Sequence, residues 1–156
     1  MTNLDTQGHK AVRRVDHRHY IEAARAALVA GTITIGDPIT VNEPHEHRTA
    51  QLILQVDEDE HVHGVDIELT LDWDEELGWS FSAKPRADLE HPGTRFFHGI
   101  GPVLDPDRYV VPWVATLLAA PFLEDSLNDG PYRQWTDNDE DFEAQLEAYA
   151  RTPHAA

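Results

Sequence analysis

The stretch VDIELTLDWDEELGWSFSA, residues 65 to 83, predicts two antiparallel strands joined by a tight turn. Its first half alternates strictly between apolar and polar side chains, as a strand does when one face lies in the core and the other in water. The second half resumes this alternation after DEELG, where we expect Gly78 to supply the positive φ that the turn requires. This hairpin is the clearest structural pattern in the chain, and it indicates an antiparallel sheet.

An earlier apolar alternation, over residues 50–56, predicts a third strand beside this hairpin. We expect residues 48–56 to pair with residues 65–73 around a tip near residue 60. In that register His47 lies opposite about residue 73. The β-branched segment TITIGDPITV, residues 32–41, adds one or two short strands around a turn.

A helix is predicted before the strands, from His17 to Ala30. Asp16 is suited to cap its first turn, and Gly31 follows as a stop. Apolar side chains fall on one face at helical spacing, so this helix has one side that can pack against the sheet. They are Tyr20, Ala24, Ala27 and Leu28.

Two further helices are predicted after the strands. Asp105 and Pro106 open the first, because aspartate caps a helix and proline needs no N–H at the first position. Pro112 lies inside this helix, which therefore either kinks or begins later. The last helix follows Asp137 or Asn138. Its apolar face comprises Phe142, Leu146, Tyr149 and Ala150.

The order of these elements predicts an α+β fold, a two-layer sandwich. An antiparallel meander of three to four strands has the helices packed on one face, in the order α-β-β-β-(β)-α-α. The length of 156 residues fits one domain. We expect a flexible arm over residues 1–15, the domain over residues 16–151 with a long loop at residues 84–104, and a flexible tail over residues 152–156.

Composition limits the functions that the chain can have. Twelve Lys and Arg against 29 Asp and Glu give a net charge of −17, which disfavours direct binding of nucleic acid or anionic membrane. The chain has no cysteine, which excludes disulfides, thiolate metal sites and a cysteine nucleophile. No apolar run resembles an export signal or a membrane span, so we expect a cytoplasmic protein. Motifs such as Gly-x-Ser-x-Gly and His-Glu-x-x-His are absent, and no catalytic residue is predicted.

Three His-x-His pairs suggest a metal site. They are His17 and His19, His45 and His47, and His61 and His63. The first pair lies at a helix start, where the two rings point in different directions. On a strand, residues i and i+2 point the same way, and His45 and His47 are the preferred candidates for zinc, with carboxylates nearby. The second and third pairs lie at opposite ends of the predicted hairpin, on the order of 30 Å apart, and cannot share an ion. Solvated strand ends are the structural alternative.

An acidic segment runs from Asp57 to Glu76, where ten of twenty residues are acidic and none is Lys or Arg. Like charges on one sheet face, such as Glu68 and Asp72, cost stability. Residues 1–30 carry five basic and three acidic residues, so one interpretation is a solvated surface with a basic arm across it. The other is a binding face for a basic protein partner, of which a nucleic-acid mimic is a special case.

The segments DWDEELGW, residues 72–79, and VLDPDRYVVPWVATLL, residues 103–118, resemble a small actinobacterial domain family of unknown function. The resemblance covers residues 16–120. Pro112 departs from the family's pattern, as does the acidic segment beyond residue 121. Because the family has no assigned activity, the resemblance implies no catalytic residue. The matching residues are Trp73, Asp74, Glu75, Gly78, Trp79, Asp105, Pro106, Trp113, Val114, Leu117 and Leu118.

Two tryptophans, Trp73 and Trp79, flank the hairpin turn next to Asp74, Glu75 and Glu76. The rings either pack in the core and close the turn, or serve as an exposed aromatic anchor for an Arg-rich partner. The leading hypothesis is a non-enzymatic interaction or regulatory module without a cofactor, whose partner-binding residues are these five. The alternatives are a metal-dependent enzyme using the second histidine pair and a nucleic-acid-mimicking inhibitor of a DNA-binding protein. Oligomeric state does not follow from the sequence.

Overall fold

In the computed structural model, which describes residues 13–36, 39–55, 67–85, 93–119 and 130–151, antiparallel strands form a five-stranded sheet in chain order. The strands are β1 (Thr40–Val41), β2 (Thr49–Leu54), β3 (Ile67–Asp74), β4 (Gly78–Pro85) and β5 (Thr94–Phe97). The helices are α1 (Arg18–Ala30), α2 (Val111–Ala119), which continues a π-helical turn over Pro106–Val110, and α3 (Glu140–Arg151). The predicted α+β fold is confirmed, with the order α-β-β-β-β-β-α-α.

The alternation along β3 determines which face of the sheet the helices cover. Its odd-numbered side chains, from Ile67 to Trp73, are buried and join the apolar faces of the three helices in one core. Tyr20 of α1 packs there against Trp73 and Trp79, with ring centroids 5.7 and 5.9 Å apart. The opposite face of the sheet, which carries Glu68, has no helix among the described residues.

The β3–β4 hairpin forms as predicted around a loop of Glu75, Glu76 and Leu77. Asp74 pairs with Gly78, and Gly78 has the expected positive φ of 76°. A left-handed residue after a short loop is the usual way to reverse a strand while preserving its twist. The turn therefore places two acidic side chains at the tip of the hairpin.

The register of β2 against β3 differs from the predicted one by two to three residues. Ala50 pairs with Trp73, whereas the predicted pairing of residues 48–56 with residues 65–73 places it opposite residue 70 or 71. That prediction was wrong because it assumed a tip near residue 60, and the loop length does not determine the offset between the strands. The observed register brings His47 to Asp74, 2.8 Å away, at the hairpin end.

The first helix ends at Ala30 as predicted and begins one residue later than predicted, at Arg18. His17 is its N-cap, although Asp16 still accepts a hydrogen bond from the Arg18 N–H at 2.9 Å. At the other end, Gly31 has an ordinary negative φ, and the left-handed residue is Thr32, with φ 66°. The Thr32 N–H donates to the Val29 carbonyl at 3.0 Å, so this residue still closes the last turn of the helix.

The two later helices differ from the prediction at their starts. Asp105 caps the second as expected and accepts from the N–H groups of residues 107 and 108. Because Pro112 has no N–H, the first turn is a wider π-helical one, and the α-helix begins later, at Val111. The cap of α3 is Asp139, which accepts from the Phe142 N–H at 3.1 Å, instead of residue 137 or 138.

Two segments have more structure than the sequence predicted. The loop expected over residues 84–104 contains β5, which pairs with β4. Val15, assigned to the flexible arm, is 6% exposed and belongs to the core. Residues 1–12 of that arm and the tail at 152–156 lie outside the described residues. No helix in the described ranges is long and apolar enough to cross a membrane.

Candidate functional site

Two predicted partner-binding residues, Trp73 and Trp79, lie in the core. They are 1% and 0% exposed. The Trp73 indole donates to the Pro102 carbonyl at 2.6 Å, and the Trp79 indole donates to the Tyr20 hydroxyl at 2.8 Å. Because both rings are buried with their N–H groups satisfied, they have packing roles and offer no exposed anchor to a partner.

A third predicted partner-binding residue, Glu75, also points into the protein. Its carboxylate accepts two hydrogen bonds of 3.1 Å from the guanidinium of Arg48, and a third of 2.5 Å from the Arg48 backbone N–H. Both residues are 0% exposed. Such a bidentate arrangement is among the strongest pairings available to a carboxylate, so Glu75 is structural and not accessible to a partner.

Three more charged side chains complete this buried ion cluster. Its members are Arg14, Arg48, Glu75, Arg133 and Glu143. Glu143 accepts from the Arg48 guanidinium at 2.7 and 2.6 Å. Arg14 donates to one Glu75 oxygen at 2.9 Å, and Arg133 donates to the other. The cluster thereby joins the hairpin loop, the start of β2, the first residues of α3 and two loop segments distant in sequence.

The charges of this cluster stabilise one another. Burial opposes ionisation of Glu75, but hydrogen bonds from Arg48 and the charges of Arg48 and Arg14 hold its pKa below the ordinary value. Burial likewise opposes the charge on Arg48, and its bonds to Glu143 and Glu75 keep its pKa above the ordinary value. Paired and hydrogen-bonded charges of this kind are the ones that a protein interior tolerates.

The surface of the hairpin end carries three potential metal ligands, His47, Asp74 and Glu76, which we call the hairpin-end cluster. His47 Nε2 lies 2.8 Å from Asp74 Oδ1, and one ligand atom from each residue lies within 4.8 Å of the other two. Asp74 Oδ1 also accepts from the N–H groups of Glu76 and Leu77, at 2.7 and 3.2 Å. All three side chains are half-buried, so solutes reach them.

Trp135 holds the hairpin-end cluster from the outside. Its indole stacks on the His47 ring, with centroids 6.1 Å apart and planes 8° from parallel. Its backbone N–H donates to Glu76 Oε2 at 2.7 Å. The Arg14 guanidinium lies over the indole at 5.7 Å and donates to the Trp135 carbonyl at 2.8 Å. Arg14 therefore links the hairpin-end cluster to the buried ion cluster.

A groove lies beside this cluster on the face of the sheet that the described helices leave uncovered, which we call the open face. It has a volume of about 310 Å³. Three acidic side chains of β3, Glu68, Asp72 and Asp74, face this side, and Asp72 accepts from the Gln51 amide at 2.9 Å. The polar residues that line the groove are Thr40, Thr49, Gln51, Asp72, Asp74 and Arg95.

Of the predicted histidine pairs, only His47 joins a group of potential ligands in the described part of the chain. His45 is exposed, with Nε2 3.9 Å from Glu46 Oε1. His17 is buried and stacks on Trp73, with ring centroids 5.7 Å apart. The third pair, at 61 and 63, and the acidic loop over residues 57–60 lie outside the described residues.

Sequence reasoning missed the buried ion cluster. The available signal was the position of Arg48 directly before an apolar strand, where an arginine is at risk of burial. A buried arginine needs carboxylate partners. Which carboxylates it finds was not readable, because its partners Glu75 and Glu143 lie 27 and 95 residues away in the chain.

Comparison with protein-family models, with curated proteins and with solved structures found no match to this chain. The actinobacterial resemblance therefore stays a prediction from the two short segments that carry it. The class of protein is defined by the fold alone: an α+β domain with an antiparallel meander, one face covered by the helices and an opposite, open face that carries Glu68, Asp72 and Asp74 together with Lys84 and Arg95. Its function is inferred from the geometry of the hairpin end and of that open face.

Proposed function

We propose that this domain is a non-enzymatic interaction module that binds a basic protein segment on the open face of its sheet. The contact surface is the carboxylate row of β3, which we define as Glu68, Asp72 and Asp74, continued by Glu76 at the hairpin loop. This set replaces the five residues predicted from the sequence, three of which are buried. A cytoplasmic location stays a prediction from the sequence.

One observation carries the proposal: the row lies on the sheet face that the described helices leave uncovered. Alternate residues of a strand are about 7 Å apart, and an extended peptide has the same spacing between its own alternate side chains. Lysine or arginine at every second position of such a peptide therefore matches Asp72 and Asp74. The groove beside them provides room for its backbone.

The geometry favours a peptide over nucleic-acid mimicry. A duplex mimic needs two rows of negative charge, one for each strand. Next to the carboxylate row, the described part of β2 presents Thr49, Gln51 and Ile53, which pair with Asp74, Asp72 and Thr70 and are uncharged. On its other side, β4 presents Ser80, Ser82 and Lys84, so the described strands carry one row of carboxylates, which corresponds to one extended basic chain.

The test is a fluorescence-anisotropy titration of a labelled arginine-rich peptide at low and high salt. The face variant, with Glu68→Gln, Asp72→Asn and Asp74→Asn, keeps every side-chain shape and the turn acceptor of residue 74. We expect it to bind at least about tenfold more weakly, because three charge contacts of moderate strength are lost. Binding by the native protein should weaken as salt rises.

A matched control removes the same charge from the helical side of the domain. It should bind within about threefold of the native protein, because salt screens the attraction between charges on the helical side and a peptide on the opposite face. Equal losses in both variants would show that net charge and not the carboxylate row attracts the peptide, and the proposal would fail. The control variant carries Glu22→Gln, Asp107→Asn and Glu147→Gln.

A further inference from the structure

We propose that the hairpin-end cluster binds one divalent transition-metal ion of the zinc class, through His47, Asp74 and Glu76. The ligand atoms already lie close together, with His47 Nε2 2.8 Å from Asp74 Oδ1 and all three within 4.8 Å of one another. Two atoms bound to the same zinc ion at about 2.1 Å are roughly 3 to 4 Å apart. A small rotamer change of the long Glu76 side chain closes the remaining gap.

The donor set selects the kind of ion. One imidazole nitrogen with two carboxylates suits zinc and its neighbours, whereas calcium and magnesium prefer oxygen alone. The nitrogen of His47 therefore distinguishes this cluster from the acidic groups on the rest of the surface. Two carboxylates and a neutral imidazole also match the charge of a divalent cation.

The ligands are held in position by a second set of contacts. The hairpin N–H groups orient Asp74, the Trp135 indole fixes the plane of the His47 ring, and the Trp135 N–H anchors one oxygen of Glu76. Outer contacts of this kind orient the ligands in natural metal sites and increase affinity. Three protein ligands leave at least one coordination position to water, so the site resembles an exchangeable centre and not a closed structural one.

Metal binding requires a change at one hydrogen bond. Nε2 gives up the proton that it shares with Asp74, the neutral ring takes its single proton at Nδ1 by exchange with solvent, and two bonds to the ion replace the contact between Nε2 and Asp74. The proposal goes beyond peptide binding, since it adds an inorganic ligand at one end of the same face.

The experiment is isothermal titration calorimetry of the full, tag-free chain with Zn²⁺, repeated with Co²⁺ so that visible absorption reports the number of ligands. The native protein should take up one ion at this site. His47→Gln should weaken binding at least about tenfold, since even the loss of an outer contact commonly costs that much. The matched control is His45→Gln, two residues away and fully accessible, which should bind within about twofold of the native protein.

Three outcomes would overturn the metal site. They are no stoichiometric uptake by the native protein, unchanged uptake by His47→Gln, and an equal loss in His45→Gln, which would assign the ion to the His-x-His pair. A thermal melt of each variant without metal verifies folding, and Zn²⁺ should raise the melting temperature of every variant except His47→Gln. Because His47→Gln leaves the carboxylate row intact, peptide binding by this variant separates failure of the metal site from failure of the proposed function.

Discussion

Arg48 and Glu75 lie side by side with both side chains excluded from solvent, and the guanidinium donates two hydrogen bonds of 3.1 Å to the two carboxylate oxygens. Glu143 accepts from both terminal nitrogens of Arg48, at 2.7 and 2.6 Å, and one of these nitrogens also donates to the Val15 carbonyl at 2.8 Å. This contact explains why a chain with few basic residues buries one of its arginines. It also holds the hairpin loop in the position that leaves Asp74 and Glu76 at the surface.

Replacing Arg48 by methionine should strongly destabilise the domain. Glu75 retains Arg14 and Arg133, but Glu143, which is 5% exposed, keeps no cationic partner among the described residues. Breaking a buried pair from one side costs about 3 to 5 kcal/mol, which urea denaturation measures as a lower midpoint. Adding Glu143→Gln to Arg48→Met should recover part of this loss, because it removes the uncompensated charge.

The control for that prediction is an arginine at the surface. Arg151 lies 3.6 Å from Glu147 with its side chain 79% exposed, and Arg151→Met should cost less than about 1 kcal/mol. If Arg48→Met lowered the free energy of unfolding no more than Arg151→Met, the buried ion cluster would not stabilise the domain as its geometry indicates.

Tyr20→Phe should destabilise the core although it removes a single oxygen. That hydroxyl donates to the Leu104 carbonyl at 2.7 Å and accepts from the Trp79 indole and the Leu104 N–H at 2.8 and 2.9 Å. Without it, two buried donors have no acceptor, at a cost of about 2 to 4 kcal/mol in the free energy of unfolding. Chemical denaturation compares this variant with Tyr149→Phe, whose ring packs against Tyr20 from a half-buried position. Equal effects of the two substitutions would contradict the prediction.

Much of the sheet was predictable because its strongest signal is local. The β3–β4 hairpin needs only a period of two and Gly78 at the turn, and both are visible in the sequence. By contrast, β5 spans four residues, Thr94–Phe97, which is too short for a period to show. The β2–β3 register was mispredicted because the length of the connecting loop does not determine the offset between the two strands.

The candidate site was predicted only in part, for a physical reason. Composition indicated an acidic surface at the hairpin, and Asp74 and Glu76 lie there. Whether an acidic side chain points outward depends on distant partners: Glu75 turns inward because of arginines that tertiary structure brings to it. The position of His47 also depends on tertiary structure, since only the observed β2–β3 register places it beside Asp74.

Gly78→Ala should weaken the hairpin. At φ 76° an alanine is strained, and its Cβ would lie 2.7 Å from the Gly101 carbonyl oxygen, which is backbone and cannot swing away. We expect a loss of about 1 to 3 kcal/mol or more in the free energy of unfolding, measured by urea denaturation. Gly101→Ala is the matched control on the other side of that contact, because its Cβ meets Leu104 at an ordinary 3.8 Å. A Gly78→Ala protein as stable as the control would show that the loop adapts without cost.

Stability should decrease as the pH falls below about 6.5, and His17 should account for part of the decrease. Its Nε2 lies 3.0 Å from both the Thr49 carbonyl and the Asn42 side-chain oxygen, so the proton belongs there. Nδ1 is buried without a hydrogen-bond partner among the described residues, and the nearest carboxylate, on Asp16, is 4.0 Å away. Burial is the main cause that lowers the pKa of His17, and the charge of Arg48 adds to it.

A lowered pKa makes the unfolded chain bind more protons than the folded one, so this contribution is complete above the ordinary value of 6.5 and is lost as the pH falls through and below it. One such group changes the free energy of unfolding by at most about 1.4 kcal/mol per pH unit. Urea denaturation from neutral to mildly acidic pH should show a shallower dependence in His17→Gln than in the native protein. His98→Gln is the control. Burial also lowers the pKa of His98, so this variant should lose the part of the pH dependence that comes from His98 and keep the part that comes from His17. An NMR titration that placed the pKa of His17 at or above 6.5 would contradict the assignment.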